Sequence, residues 1–303
     1  MEHRSPESPA ALAEALRGTG YLADEGLATA AFLALRMRRP LFCEGEPGTG
    51  KTALAQALAT VLGAELVRLQ CYEGLDASQA LYDWDFPRQL LHLRTLEATA
   101  ASRVSDTAAH SAMDVDIVEA SLYDRRFLLA RPILRALQSS PAVLLVDEID
   151  RADDEFEAFL LEVLTEYAVS IPELGEVRAA DPPVVVLTSN RTREVHDALK
   201  RRCLYLWLSH PDVDREIAIL RARIPELPER LAGEVAAAVH RLREADLLKP
   251  PGVAESLDWA RALQVIGADH LDVDTAAATL GVVLKYREDA ERVRVRLESL
   301  LAS

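Results

Sequence analysis

The chain has 303 residues, half of them hydrophobic and 27% charged, with 49 acidic against 34 basic side chains and a formal charge of -15. That length exceeds a typical single domain, so a large core followed by a smaller one is expected. A field this negative repels nucleic-acid phosphates and anionic membrane surfaces, which disfavours both as partners, and no apolar run is long enough to span a bilayer.

The terminus Met1-Glu2-His3-Arg4-Ser5-Pro6 is polar and lacks the apolar centre of a signal peptide. Residues from Pro9 to Leu35 predict two helices, split by the breaker cluster Gly18-Thr19-Gly20. Pro40-Leu41-Phe42-Cys43-Glu44 predicts a short buried strand running into Gly45. From Thr52 to Leu62 strong helix formers place Leu54, Leu58 and Leu62 on one face. Further strands are predicted at Glu65 to Leu69, Ala142 to Val146, Val184 to Thr188 and Leu204 to Leu208. Continuous apolar strands alternating with helices imply a parallel sheet covered on both faces. The three cysteines, Cys43, Cys71 and Cys203, show no paired spacing. They argue against a zinc site or a disulfide framework and fit buried thiols in a soluble protein of the reducing cytoplasm.

After Ser209 the pattern turns helical. Ile217, Leu220 and Ile224 fall at core spacing behind Pro211, and helical segments follow over Glu229 to Ala245, Ser256 to Ile266 and Thr275 to Leu301. The division expected is an α/β core over 1–209, with an insert over 71–140, and an all-helical domain over 210–303.

Gly45-Glu46-Pro47-Gly48-Thr49-Gly50-Lys51-Thr52, leading into Ala53, fits G-x-x-x-x-G-K-[ST] at every fixed position, between a strand and a helix. Glycines let backbone amides turn in around a phosphate, and the following helix presents its positive end to the same anion. Lys51 is placed to bridge the β- and γ-phosphates of ATP, and the Thr52 hydroxyl to sit on Mg2+. The third core strand delivers Asp147-Glu148-Ile149-Asp150 at its C-terminal end, the arrangement of a Walker B segment. Asp147 is assigned to the metal, directly or through water, and Glu148 to the attacking water. Asn190, ending the fourth strand, is the expected sensor that holds that water.

The insert, Cys71 to Ser140, carries Tyr72, Tyr82, Trp84, Phe86 and Tyr123 in a chain with 5% aromatic residues. An extended piece over Tyr82 to Phe86 would show one aromatic and one acidic face. It reads either as a loop facing a pore or client, or as packing of the insert on itself. A helix striped by Phe156, Phe159, Leu160, Val163, Leu164 and Tyr167 leads to a hairpin expected over Ile171 to Val177, turning at Leu174-Gly175.

These motifs, in this order, resemble those of AAA+ ATPases over nearly the whole chain. Together with Leu69-Gln70-Cys71-Tyr72-Glu73-Gly74 and Leu145-Val146-Asp147-Glu148-Ile149-Asp150-Arg151-Ala152, they resemble the MoxR family. Tyr72-Glu73-Gly74-Leu75-Asp76, Leu81 to Leu91 and Arg131-Pro132-Ile133-Leu134 are similar to its CoxD-type branch, associated with maturing molybdenum-containing carbon monoxide dehydrogenase and related hydroxylases. The resemblance implies a sheet in order 5-1-4-3-2, a hexameric ring, ATP between protomers, and a von Willebrand A domain partner. It implies an arginine finger at Arg202, with Arg201 beside it. It also implies a second sensor arginine at the start of the third lid helix, where this chain has Gly252-Val253-Ala254-Glu255-Ser256-Leu257 and no arginine. Arg261 is the nearest substitute, or else an ordinary solvated helix residue. The function implied is an ATP-driven chaperone maturing a client metalloenzyme. Activase-type action on another enzyme, a DNA-directed motor and a nucleotide-gated switch with negligible turnover are the alternatives.

Overall fold

A computed structural model describes residues 6–103 and 121–301; the polar terminus Met1–Ser5 and residues 104–120 of the insert lie outside the described residues. Five parallel strands form the central sheet: β1 (Leu41–Gly45), β2 (Glu65–Gln70), β5 (Ala142–Asp147), β8 (Val184–Ser189) and β9 (Leu204–Leu208). Their order is β2-β5-β8-β1-β9, every pairing parallel. Counted as core strands alone, this is 5-1-4-3-2.

Strand alternation divides the core in two. Leu41, Cys43, Val143, Leu145 and Val186 point to one face, where Leu12, Leu16, Leu27 and Leu54 cover them. Phe42, Leu144, Val146, Val185 and Leu187 point to the other, under Ile133, Leu134, Phe156 and Leu160. Both faces are thereby dry, which explains why these strands read as unbroken apolar runs. The three thiols are all buried, and burial pushes Cys43, Cys71 and Cys203 up to about 12.

The N-terminal helices Pro9–Gly18 and Glu25–Met37 break where expected, and each has a side-chain N-cap, Ser8 and Asp24. In the insert, β3 (Tyr82–Trp84) pairs antiparallel with β4 (Leu128–Ala130). Trp84 is buried and meets Tyr82 and Tyr123 edge-on, whereas Phe86 is exposed at the start of the helix Phe86–Arg103. The aromatic alternation therefore packs the insert on itself through Trp84 and leaves Phe86 outside. The hairpin forms from β6 (Ala168–Ile171) and β7 (Gly175–Arg178), with Gly175 at φ +78° in the turn.

After β9 in the chain, a third apolar cluster runs from Leu220 to Leu297 around the buried Trp259, whose indole N–H donates to Thr279 Oγ1 at 2.7 Å. Its helices are Val213–Arg223, Glu229–Glu244, Val253–Val265, Val273–Val283 and Arg287–Leu301. The single helical stretch expected from Thr275 to Leu301 is thus two helices. Leu284 is extended and buried between them, and the fully buried Asp289 accepts the amides of Leu248 and Lys249 at 2.8 and 3.1 Å. No glycine or proline lies between Val282 and Arg287, and Gly281 stays within the first of the two helices, so the periodicity runs through the break.

Three of these helices are knotted by one ion pair. Arg243 donates both terminal nitrogens to Glu216, at 2.6 and 2.7 Å, and Ser256 Oγ donates to the same carboxylate at 2.6 Å. Both charged side chains are out of water. Arg243→Met leaves Glu216 a buried unpaired charge, and the expected loss is about 3–5 kcal/mol. Urea unfolding followed by far-UV circular dichroism reads it; an unshifted midpoint would remove the pair from the stability account.

Candidate functional site

Gly45 lies where β1 meets β9, so close that a Cβ would stand 2.2 Å from the Leu208 carbonyl oxygen. Gly48 has φ +79°, and its would-be Cβ would stand 2.7 Å from Gly252 Cα. Neither position admits a side chain. The turn between them is closed by Thr49 Oγ1 donating to the Glu46 carbonyl at 2.9 Å.

Lys51 opens the helix Lys51–Leu62 and is buried. Its ammonium donates to the carbonyls of Gly45 and Glu46, both at 2.7 Å, which holds the loop open around it. Two of three donors are so used, and the third is free for an anion. Burial lowers the Lys51 pKa, opposed by Asp150, Asp147 and Glu148 across the crevice.

Asp147 ends β5, buried, with both carboxylate oxygens fully engaged. Thr52 Oγ1 lies 3.1 and 3.3 Å from them, Thr188 Oγ1 donates to Oδ1 at 2.5 Å, and Arg68 Nη2 donates to Oδ2 at 2.6 Å. Thr52 and Asp147 are hard oxygen donors at the mouth of an anion cradle, the donor set that suits Mg2+ beside a triphosphate. Glu148 sits at φ 56°, ψ 51°, a left-handed conformation unusual outside glycine. Its amide donates to Thr188 Oγ1 at 2.9 Å, so one hydroxyl braces both acidic residues. The Glu148 carboxylate meets Asn190 Nδ2 at 3.3 Å, Gln70 Nε2 at 3.1 Å and Arg151 Nε at 3.0 Å. Asn190 is fixed in turn, its amide donating to Asp150 Oδ1 at 3.2 Å.

A crevice of about 830 Å³ joins these groups, lined by Pro47 to Ala53, Asp147, Glu148, Thr188 and Asn190 on the sheet side. The opposite wall comes from Tyr21, Leu22, His210, Ile219 and Leu257. That volume lies in the usual range for small-molecule sites. Tyr21 stands over Gly50 and burial raises its pKa. His210 is lowered by burial and by Arg243, although its Nε2 meets Glu46 of the loop at 2.9 Å.

The structure thus brings together Gly45, Glu46, Pro47, Gly48, Thr49, Gly50, Lys51, Thr52, Ala53, Asp147, Glu148 and Asn190. It does not bring in Arg261, which lies outside the crevice lining, exposed, and paired with Asp258 at 3.6 Å. The two arginines that do line the crevice from the helical part are Arg215 and Arg223. Arg215 holds Asp24 at 2.5 Å and the Leu22 carbonyl at 3.0 Å, fixing the N-terminal wall. Arg201 and Arg202 are exposed at the end of the helix Asp197–Arg202 and do not line the crevice of their own chain. Their carbonyls, with that of Cys203, accept from the Arg39 guanidinium at 2.8 to 3.1 Å, which fixes that helix end.

Sequence reasoning missed Arg68, Gln70 and Thr188 as site residues. A signal existed: β2 pairs with β5 so that Gln70 faces Asp147, and Arg68 and Gln70 alternate with the buried Val67 and Leu69. It becomes visible only once the two strands are known to be neighbours. The contact of Gly48 with Gly252 has no sequence signal at all. There Val253 N donates to the Gly48 carbonyl at 2.9 Å, seating the helix Val253–Val265 on the phosphate loop.

Residues 40–203 match the model of a family described as AAA domain, dynein-related subfamily. Midasin of Giardia intestinalis is 48% identical over 48 residues, which is 16% of this chain and 1% of midasin. Among solved structures, the Thermotoga maritima RuvB Holliday junction branch migration motor aligns with TM-score 0.45 at 17% identity, covering 90% of this chain and 66% of that one. A single-residue variant of the same motor aligns with TM-score 0.46 at 17% identity, covering 89% and 74%.

Gly252→Ala would drive a methyl into the Gly48 backbone, with 2.6 Å to its Cα. Overpacking of this kind costs about 1–3 kcal/mol, so titration with a fluorescent ATP analogue is expected to show binding weakened by about tenfold or more. Unaltered affinity would mean that the contact does not shape the cradle.

Proposed function

This chain belongs to the AAA domain family, dynein-related subfamily, and from that premise we propose that it is a magnesium-dependent ATPase that couples hydrolysis to remodelling of a client protein. The observation that carries the ATPase reading is the convergence of Lys51, Thr52, Asp147, Glu148 and Asn190, from three separate segments, on one crevice. In this reading residues 1–209 are the nucleotide-binding core and 210–303 the lid.

Thr52 Oγ1 and the Asp147 carboxylate would hold magnesium, which would supply neutralisation of charge on the phosphate oxygens. The cradle amides of Gly48 to Lys51 and the free ammonium donor of Lys51 hold the phosphates themselves. Glu148 accepts the proton of the attacking water, and Asn190, whose Nδ2 donates to the Glu148 carboxylate at 3.3 Å, orients that water beside it. The left-handed backbone of Glu148 aims its side chain forward from the strand end while Thr188 fixes its amide. Tyr21, Leu22, His210 and Leu257 supply the wall against which the base rests. The finger is Arg202, with Arg201 beside it, acting on the crevice of a neighbouring copy in a hexameric ring. Its exposure, and its helix end held by Arg39, suit action across an interface.

For the client we favour a molybdenum-containing hydroxylase of the carbon monoxide dehydrogenase type, assisted by a von Willebrand A domain protein. The support is the likeness of Tyr72 to Asp76, Leu81 to Leu91 and Arg131 to Leu134 to the CoxD-type branch. The charge of -15 favours a protein client over a nucleic acid.

Glu148→Gln is expected to slow phosphate release by about a hundredfold or more while ATP binding persists; turnover at the parental rate would overturn the role of Glu148. Mixing is expected to separate the finger from the cradle. Lys51→Ala and Arg202→Ala chains, each inactive alone, recover part of the activity together if Arg202 serves a neighbour's site, and recover none if it serves its own.

A further inference from the structure

Arg68 is half-exposed on the edge strand β2, and its guanidinium reaches across to the buried end of β5. Besides Asp147 Oδ2 at 2.6 Å, it touches Gln70 Oε1 at 2.5 Å. Asp147 has no oxygen to spare: Thr188 occupies Oδ1, Arg68 occupies Oδ2, and Thr52 spans the two. These partners differ in what they do when a dication arrives. Thr52 rotates its hydrogen away and offers a lone pair, and Thr188 is buried and bonds the other oxygen, Oδ1. A guanidinium has donors only, and two positive groups on one carboxylate oxygen repel strongly.

We propose that Arg68 is a resident counter-cation of Asp147, which neutralises this carboxylate in the metal-free chain and is displaced when magnesium arrives with the nucleotide. The inference rests on the reading of Asp147 as the metal's carboxylate. It gives a nearly buried acid beside Glu148 and Asp150 a cationic partner in the absence of the ion. Exposure of the Arg68 side chain gives it an exit: it swings into solvent without unpacking the core. Its release also frees the Gln70 carbonyl oxygen, and the Gln70 amide nitrogen is one of the groups that hold Glu148. Arrival of the metal on Asp147 is thereby linked, through two side chains of β2, to the positioning of Glu148. Arg68 acts through other groups and is a positioning residue.

The test is binding, not turnover. A fluorescent ATP analogue is titrated onto the full chain at rising free Mg2+, for the parent, Arg68→Gln, Arg68→Lys and Asp147→Asn. Arg68→Gln is expected to reach half-saturation at about three- to tenfold lower Mg2+, and Arg68→Lys, which keeps the charge, to restore the parental requirement. Mg2+ without nucleotide is expected to raise the melting temperature of Arg68→Gln more than that of the parent. An unchanged or higher Mg2+ requirement in Arg68→Gln, or no restoration by lysine, overturns the proposal. Asp147→Asn reports on the premise separately. If it keeps the parental Mg2+ dependence, the assignment of Asp147 fails whatever Arg68 does.

Discussion

Asp147 is the point on which the rest of the structure depends. Its carboxylate takes hydrogen bonds from the helix after β1 through Thr52, from β8 through Thr188 and from β2 through Arg68, while its own backbone ends β5. Four segments distant in sequence are thus registered on one buried anion. Hydrogen bonds to a charged acceptor out of water are the stronger kind, and breaking one leaves a desolvated charge behind. The same geometry that satisfies the carboxylate fixes the distance from Thr52 to Glu148. Folding of the sheet and assembly of the site are therefore one event.

Charge balance around that point follows from the same constraint. Asp147, Glu148 and Asp150 crowd a strand end, and Lys51, Arg68 and Arg151 answer them. Loop carbonyls take two of the donors of the buried Lys51, and the three acids oppose its desolvation in part, leaving its pKa lowered. On the other side of the crevice, the helix Val253–Val265 is seated by backbone contact, Gly252 on Gly48, at the place where the family resemblance implies an arginine. The helical part therefore touches the cradle through backbone at Gly252 and Val253, beside the His210–Glu46 pair.

Much of this was legible in the chain. The apolar runs of β1, β5 and β8, ending at Gly45, Asp147 and Asn190, sufficed for the centre of the sheet and for the strand ends that line the crevice, because burial on both faces removes polar residues from those strands. Gly45 to Thr52 were legible because only glycine tolerates the approach of Leu208 and Gly252. What stayed hidden depends on neighbours that sequence does not order. Arg68 looks like a solvated strand residue until β2 is placed beside β5. Leu284 breaks a helix by burying itself rather than by its backbone preference, so its position reads as continuous. Arg261 sits at helical spacing that points it away from the crevice, and only the orientation of its helix shows that.

The central claim is that Lys51, Thr52 and Asp147 hold one metal–triphosphate. Its most direct measurement substitutes Mn2+ for magnesium and follows the electron spin echo of the ion with a non-hydrolysable ATP analogue. The expected result is phosphorus coupling from the bound analogue in the parent chain and its loss in Asp147→Ala and Thr52→Val. Full phosphorus coupling, at parental affinity, in both variants would contradict the account.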